Sequence, residues 1–363
     1  MKIANVVGAR PNFMKIAPIH RWMQKSPTID PILIHTGQHY DEKMSTTFFV
    51  DLGMPEPDVY LGVGSGTHAE QTAAVMVKVE QFLLEERPDL LIVVGDVNST
   101  IAASLAAAKV GVRVAHVEAG LRSFDRDMPE EINRILTDAI ADYLFITEQS
   151  GLDNLRNEGT PEEKIYFVGN VMIDSLTAHL EKAAALSTLD EYNLEPQHYA
   201  LMTLHRPSNV DNERVLNHIF QALQVIQNDV PIVFPIHPRT RKMLTTFGMD
   251  AQVASMTNLK IVEPLGYLPF LRLMSQAKLV LTDSGGIQEE TTFLKIPCLT
   301  LRANTERPVT VTLGSNQLVG MEPEAILNGY KNAVNGNLKE TQIPPLWDGM
   351  ASKRIVDILE KLA

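Results

Sequence analysis

The stretch Asp283-Ser284-Gly285-Gly286-Ile287-Gln288-Glu289-Glu290 has residue types and spacing suited to holding an anion. It follows the apolar run Ala277 to Thr282 and precedes a helix-forming segment, so it predicts a strand, a tight glycine turn and a helix start. Two adjacent glycines let the backbone approach a ligand closely, and the N–H groups of a first helical turn, backed by the helix dipole, point at it. Ser284, Gly285 and Gly286 would hold phosphate, while Glu290, one to two turns on, would accept hydrogen bonds from a sugar diol. That combination suits a nucleotide diphosphate. The plainer reading is that Asp283 or Ser284 caps an ordinary helix and the glycines only make the turn.

Groups able to move protons lie elsewhere, and again just after apolar runs. Asp96 stands in Gly95-Asp96-Val97-Asn98, Glu118 in His116-Val117-Glu118-Ala119-Gly120, and Glu131 in Pro129-Glu130-Glu131 at the start of a helical segment. Carboxylates at a helix start also serve as simple dipole partners. His205 and His237 each follow a run in the second half, where a histidine is either a proton carrier or a satisfied structural residue. Cations come from Arg10 and Lys15 after the first run and from Arg302 and Arg307 after the last. Arginine suits bidentate contact with phosphate, and lysine adds a point charge. Phe270, in Gly266-Tyr267-Leu268-Pro269-Phe270, either packs beside a base or is core.

These residues need a scaffold that brings strand ends together. Apolar runs at 3–7, 32–36, 90–94, 112–117, 143–147 and 165–168 alternate with segments of helical period. The same alternation continues at 199–204, 232–236, 259–262, 277–282 and 297–301. It predicts parallel α/β units. Residues 183–196 break from a helix into a polar linker, so the expected division is an N-terminal Rossmann-like domain over 1–172 and a C-terminal one over 173–351. The amphipathic segment 352–363 is expected to dock as a helix, back onto the first domain. Ligands of open α/β sheets bind beyond the carboxyl ends of the strands, so two such doubly wound domains facing each other would form a cleft there.

Composition narrows the class. At 363 residues the chain is long enough for two cores, and 45% hydrophobic with 21% charged residues is globular usage. A net charge of −12 disfavours a nucleic-acid footprint, so an anionic substrate must meet local cations. The single cysteine, Cys298, cannot form an intrachain disulfide and reads as a buried strand residue. No apolar run approaches transmembrane length, and no secretory signal is legible, so a cytoplasmic protein without membrane association is expected. Gly62-Val63-Gly64-Ser65-Gly66 has the wrong spacing and place for a dinucleotide fingerprint, and no Walker A lysine motif occurs. Asp125-Arg126-Asp127 lacks accompanying ligands and reads as a loop. Neither cofactor nor metal is expected.

Taken as an ordered set, these motifs resemble the non-hydrolysing UDP-N-acetylglucosamine 2-epimerases. The match comprises Gly8-Ala9-Arg10-Pro11, Gly37-Gln38-His39, Gly95-Asp96, residues 116–122, Pro129-Glu130-Glu131 with Asn133-Arg134, His205-Arg206, residues 283–290 and Thr305-Glu306-Arg307-Pro308. The resemblance implies the two-Rossmann-domain architecture shared with GT-B glycosyltransferases, and a homodimer. It also implies that Arg10, Lys15, Phe270, Ser284, Gly285, Gly286, Glu290 and Arg307 hold UDP, with Glu290 on the ribose. Asp96, Glu118, Glu131 and His205 would form the acid/base group, and Gln38, His39, Arg206 and His237 are candidates for a regulatory or secondary role. Three places depart from the family's pattern. Pro207 and Ser208 stand where Arg and Glu are frequent, Val309 where a Glu is frequent, and Tyr40 with Asp41 where a basic and an acidic residue are frequent. These bear on sugar specificity and on the family's allosteric site.

The expected reaction inverts carbon 2 of a UDP-2-acetamido sugar by eliminating UDP to a glycal and adding it back. Inversion needs proton transfer on both faces of the carbon, hence at least two acid/base groups from different loops. Alternatives are a GT-B glycosyltransferase, a hydrolysing 2-epimerase and a non-catalytic UDP-sugar sensor.

Overall fold

The computed structural model describes residues 1–37, 53 and 55–362, apart from the Arg10 side chain. It divides into two compact units, one of Met1–Ala178 with Pro345–Ala363 and one of His179–Pro344. Each is a parallel sheet with helices.

In the first unit the order is β1 (Lys2–Val7), α1 (Arg10–Met23), β2 (Asp30–His35), β3 (Val59–Tyr60), α2 (His68–Glu86), β4 (Leu90–Val94), α3 (Asn98–Val110) and β5 (Arg113–Ala119). There follow α4 (Pro129–Ile140), β6 (Tyr143–Ile146), α5 (Gln149–Asn157), β7 (Ile165–Phe167) and α6 (Val171–Ala184), whose residues from His179 on belong to the second unit. The strands lie in the order β3-β2-β1-β4-β5-β6-β7, all parallel. β4, Leu-Leu-Ile-Val-Val, is buried throughout, as a central strand covered on both faces must be. The order reverses between β1 and β4, which makes their carboxyl ends the switch point where ligands of such sheets bind. Residues 8–10 and Gly95-Asp96 follow those two strands.

The second unit runs α7 (Thr188–Glu191), β8 (Ala200–Met202), α8 (Pro207–Val210), α9 (Glu213–Ile226), β9 (Ile232–Pro235), α10 (Pro238–Thr246), α11 (Asp250–Ala254) and β10 (Leu259–Val262). It continues with α12 (Tyr267–Gln276), β11 (Leu279–Thr282), α13 (Gly285–Leu294), β12 (Cys298–Thr300), α14 (Pro308–Thr312), β13 (Asn316–Leu318) and α15 (Pro323–Val334). Its sheet order is β10-β9-β8-β11-β12-β13, again parallel, with the reversal between β8 and β11. His205 and Ser284 come just after those strands. Met202, Phe220, Phe234 and Leu281 are among the residues of this unit's core. Cys298 is fully buried in β12.

The chain ends in α16 (Ala351–Leu362), which packs on α1 of the first unit. Ile355, Val356 and Leu359 form its buried stripe. Asp174 of α6 accepts the Ala351 and Ser352 amides at 3.1 and 2.7 Å, supplying the acceptor that an opening helix turn needs. Just before this helix, Trp347 is buried and donates Nε1–H to the Thr147 carbonyl at 3.0 Å.

Candidate active site

In the first unit the site-forming residues come from the ends of β4 and β5 and from one face of α4. β5 breaks register between Val117 and Ala119, and Glu118 there has φ 73°, a left-handed conformation unfavourable for a side chain with a Cβ. Glu118 is buried and ion-paired to Lys15 of α1. Gly95, with φ 69°, lies beneath that pair: a Cβ on it would come within 3.3 Å of both Glu118 Oε2 and Lys15 Nζ. Lys15, expected at an open mouth as a phosphate ligand, is thus buried against the expected base.

Asp96 is partly exposed, and its carboxylate is ion-paired to Arg134 of α4. The same guanidinium reaches Glu131 Oε2, 2.7 Å from Nη2. Glu131 also accepts the Ser123 N–H at 2.9 Å, the Ser123 hydroxyl at 3.0 Å and the Phe124 N–H at 2.9 Å. Burial alone would raise the Glu131 carboxyl, but the Ser123 amide and Arg134 outweigh it and hold it below its ordinary value. Residues 131, 134 and 138 lie on one helix face at i, i+3 and i+7. Pro129 at the first helical turn leaves that face intact, since its missing N–H has no partner there in any helix.

In the second unit, Ser284 is the N-cap of α13 with extended backbone, and its hydroxyl does not cap the helix. The first-turn amides following it have no intrahelical acceptors. Arg307 closes on this turn: a Cβ on Gly285 would lie 2.6 Å from Arg307 Nη1 and 2.7 Å from Glu306 Oε1, so only glycine fits. Arg307 Nε lies 2.7 Å from Glu289 Oε1 and its Nη1 lies 2.5 Å from Glu306 Oε1. Arg302 Nη2 is 2.8 Å from Glu306, and Arg206 Nη2 is 3.9 Å from it. Burial raises the Glu306 carboxyl, but the surrounding arginines drive it far below the usual carboxylate range. Gln288 ties the helix to the arginine loop by accepting from the Thr305 hydroxyl at 2.7 Å.

Asp283, fully buried, accepts the amides of His205 and Arg206 at 2.9 and 2.7 Å, and His205 Nδ1 lies 3.1 Å from it. His237 is exposed, its ring centroid 5.8 Å from that of His205, and its Nδ1 accepts the Arg239 N–H at the start of α10. Partial loss of hydration, then the neighbouring His205 and Arg239, hold the His237 ring below its ordinary value. One turn into α13, Glu290 accepts from the buried Tyr267 hydroxyl at 2.9 Å. Phe270, half-buried, is on the same helix as Tyr267.

The structure therefore groups Lys15 with Glu118, Asp96 with Glu131, and Ser284 to Gly286 with Arg307 and, through Glu306, Arg206. Gln38, His39, Tyr40 and Asp41 lie outside the described residues, as does the Arg10 side chain. Sequence reading gave Arg134 and Tyr267 no role of their own, and it named Arg302 as a loop cation without its partner Glu306. It also gave Asp283 no role beyond a cap, although two main-chain amides and a histidine converge on it. Pro207, a departure from the family pattern, sits in the first turn of α8, and Val309 is buried in α14. Among the described residues no helix is long and apolar enough to cross a membrane.

The sequence profile described as UDP-N-acetylglucosamine 2-epimerase matches residues 21–360. The chain is 45% identical over 364 residues to a UDP-N-acetylglucosamine 2-epimerase of Methanocaldococcus jannaschii, covering 99% of each chain. It is 41% identical over 366 residues to the UDP-2,3-diacetamido-2,3-dideoxy-D-glucuronate 2-epimerase of Pseudomonas aeruginosa, covering 100% of both. A crystal structure of M. jannaschii UDP-GlcNAc 2-epimerase in complex with UDP-GlcNAc and UDP superposes with TM-score 0.92 at 45% identity, covering 99% of this chain and 100% of that one. The lipopolysaccharide outer core galactosyltransferase WaaB, at 14% identity and TM-score 0.59 with 100% of both chains covered, shares the fold alone. With the match spanning nearly the whole chain, and the two parallel α/β units found in that crystal structure, the protein belongs to the UDP-N-acetylglucosamine 2-epimerase family.

Proposed function

We propose that this protein is a non-hydrolysing 2-epimerase that interconverts UDP-N-acetylglucosamine and UDP-N-acetylmannosamine, or a closely related UDP-2-acetamido sugar. The observation that carries the reading is the pair of carboxylates Asp96 and Glu118 at the ends of adjacent strands, each held by its own cation, Arg134 and Lys15. A glycosyl transfer needs an acceptor and fewer carboxylates around the sugar, and a sugar sensor needs none to move protons. Likeness to the P. aeruginosa relative supports keeping the modified sugars within the substrate class.

In this mechanism UDP is held by the second unit. The first-turn amides of α13 and Arg307 stabilise the charge that grows on the diphosphate as the C1–O bond breaks, with Arg10 assisting. Glu290 accepts from the ribose hydroxyls, and Phe270 packs beside the base. A carboxylate of the first unit takes the proton from C2 as UDP leaves, forming the C1=C2 double bond of a glycal. Re-addition restores the C1–O bond and delivers a proton to the opposite face of C2, regenerating UDP-sugar with inverted configuration. Asp96 and Glu118 are the proton carriers. Glu131, ionised and saturated with donors, acts on Asp96 through Arg134. His205, aimed by Asp283, protonates or hydrogen-bonds the leaving phosphate. Arg206 and His237 stand in a secondary role beside this group.

The reading extends to a cytoplasmic homodimer. Val77 and Leu84 on α2 and Ile132 and Leu136 on α4 are exposed apolar positions that a second copy would cover. Sedimentation at micromolar protein checks this, and a monomer at that concentration would count against it.

The experiment that tests the function is incubation of UDP-N-acetylglucosamine in deuterated water with no acceptor present. A second UDP-sugar carrying deuterium at C2 is expected. Free UDP with free sugar would point to hydrolysis, and inversion without deuterium at C2 would sink the elimination mechanism.

A further inference from the structure

The motif around Glu118 contains a buried group that the mechanism above leaves unused. His116, two residues before Glu118 on β5, is fully buried. Its Nε2 lies 2.9 Å from the Gly95 carbonyl and its Nδ1 lies 2.6 Å from Asp138 Oδ1. Asp138, on the α4 face that also carries Glu131 and Arg134, accepts the Gly120 N–H at 3.0 Å and meets Arg122 at 2.7 Å. Burial raises the Asp138 carboxyl, but His116 and Arg122 outweigh it and hold it below its ordinary value.

We infer that Asp138 and His116 are positioning residues for the acid/base carboxylates. The His116 ring bridges the end of β4 to α4. Through Nε2 it fixes the carbonyl of Gly95, the residue from which Asp96 departs, and Asp138 fixes the ring. The second oxygen of Asp138 holds the Gly120 amide, two residues beyond Glu118. Both carboxylates are thereby referred to one helix, since Arg134, four residues before Asp138, holds Asp96 itself. Glu118 has the left-handed backbone that a side chain resists, and the Gly120 bond is one of the contacts that pin this bulge. Gly120, with φ 78°, in turn has no room for a Cβ, which would lie 2.4 Å from the Gly151 carbonyl of α5. The carboxylates thus stand on a strand end clamped from both sides. A shift of the order of 1 Å at such a clamp is enough to cost about 10²-fold in rate.

This inference rests on the epimerase reading, and its test separates the two. Steady-state kcat and KM, with the Kd of UDP by calorimetry, are to be measured for wild type, His116→Ala, His116→Gln, Asp138→Ala and Asp138→Asn. Because the UDP cradle is built on the second unit, UDP affinity is expected within twofold of wild type throughout, and it counts the folded enzyme in each sample. His116→Ala and Asp138→Ala are expected to lower kcat, per UDP-binding site, by about 10–100-fold with KM nearly unchanged. Asp138→Asn keeps an acceptor for the His116 ring, and His116→Gln keeps a donor for the Gly95 carbonyl, so both are expected to recover part of the loss. The double alanine variant is expected to be no slower than the slower single one, as for two groups acting in series. Should an alanine variant not fold, the conservative pair decides by the same split. Full kcat per UDP-binding site in folded His116→Ala or Asp138→Ala, or a loss expressed as raised KM, would overturn the inference while leaving an active wild type as an epimerase. A wild type that binds UDP but never epimerises would sink both.

Discussion

His205 Nδ1 lies 3.1 Å from Asp283 Oδ1, and Asp283 also accepts the main-chain amides of His205 and Arg206. The carboxylate therefore sets both the loop after β8 and the ring that the loop carries. With Nδ1 turned to the carboxylate, Nε2 is the nitrogen left for chemistry. Replacing Asp283 by Asn keeps an acceptor but frees the tautomer choice, so kcat is expected to fall on the order of 10²-fold, as is typical when acid/base assistance is lost. Removing the ring in His205→Ala is expected to cost at least as much. Steady-state kinetics with UDP affinity measured alongside checks both, and an unchanged kcat in either variant would remove His205 from the mechanism.

The same aspartate makes the second unit acid-sensitive. Burial would raise the Asp283 carboxyl, but hydrogen bonding and charge from His205 and the Arg206 amide bring it below its ordinary value. A carboxyl depressed in the folded state contributes stability that is fully present above the unfolded value, about 3.9, and is lost as pH falls through the folded value. The stability gap between wild type and Asp283→Asn in urea unfolding should therefore narrow as pH falls below about 4. A gap that widens on acidification would contradict the assignment.

Lys15 offers a clean separation of two roles. Sequence placed it among the phosphate ligands, whereas the structure buries it against Glu118. If its work is to hold and aim Glu118, Lys15→Met lowers kcat by about 10²-fold and leaves the Kd of UDP within about twofold. A tenfold loss of UDP affinity with kcat preserved would return it to the phosphate.

Gly285 is limited by space. A methyl there meets Arg307 and Glu306, both buried and mutually bonded, so neither can withdraw cheaply. Gly285→Ala should weaken UDP binding by about tenfold or more through displacement of the guanidinium, equal to about 1.4 kcal/mol or more. Calorimetric titration with UDP reads this, and wild-type affinity would show that Arg307 does not serve the diphosphate.

Much of this was legible in the residues, for identifiable physical reasons. Central strands of a doubly wound sheet are continuous apolar runs, so β1, β4, β8 and β11 and their following turns stand out. β3 and β13 escaped because they span two and three residues and pair on one side only, where no apolar run is required. Motif residues announced themselves through glycine and charge. Their partners did not: Arg134, Asp138 and Tyr267 sit at helical positions where a charged or aromatic residue reads as a solvated or core face. Only three-dimensional packing shows which strand end each one holds. The burial of Lys15 was hidden for the same reason, because its partner is 103 positions away.

Glu290 and Tyr267 give the last separation. The buried carboxylate, one turn into α13, accepts from the Tyr267 hydroxyl at 2.9 Å, and burial with the nearby carboxylate raises the phenol well above its ordinary value, so it remains a donor. That bond uses Oε1 and orients the group for the ribose. Glu290→Gln exchanges an ionised acceptor for a neutral one and should weaken UDP binding by about 1.5–3 kcal/mol, or roughly 10–150-fold, the range for hydrogen bonds to charged groups. Its kcat at saturation should change much less, because the ribose contact is the same in ground and transition states. Tyr267→Phe keeps the charge and loses only the orienting donor, so a smaller loss, about 1 kcal/mol, is expected. A Glu290→Gln enzyme that binds UDP normally but turns over slowly would move this carboxylate from the ribose to the reacting sugar.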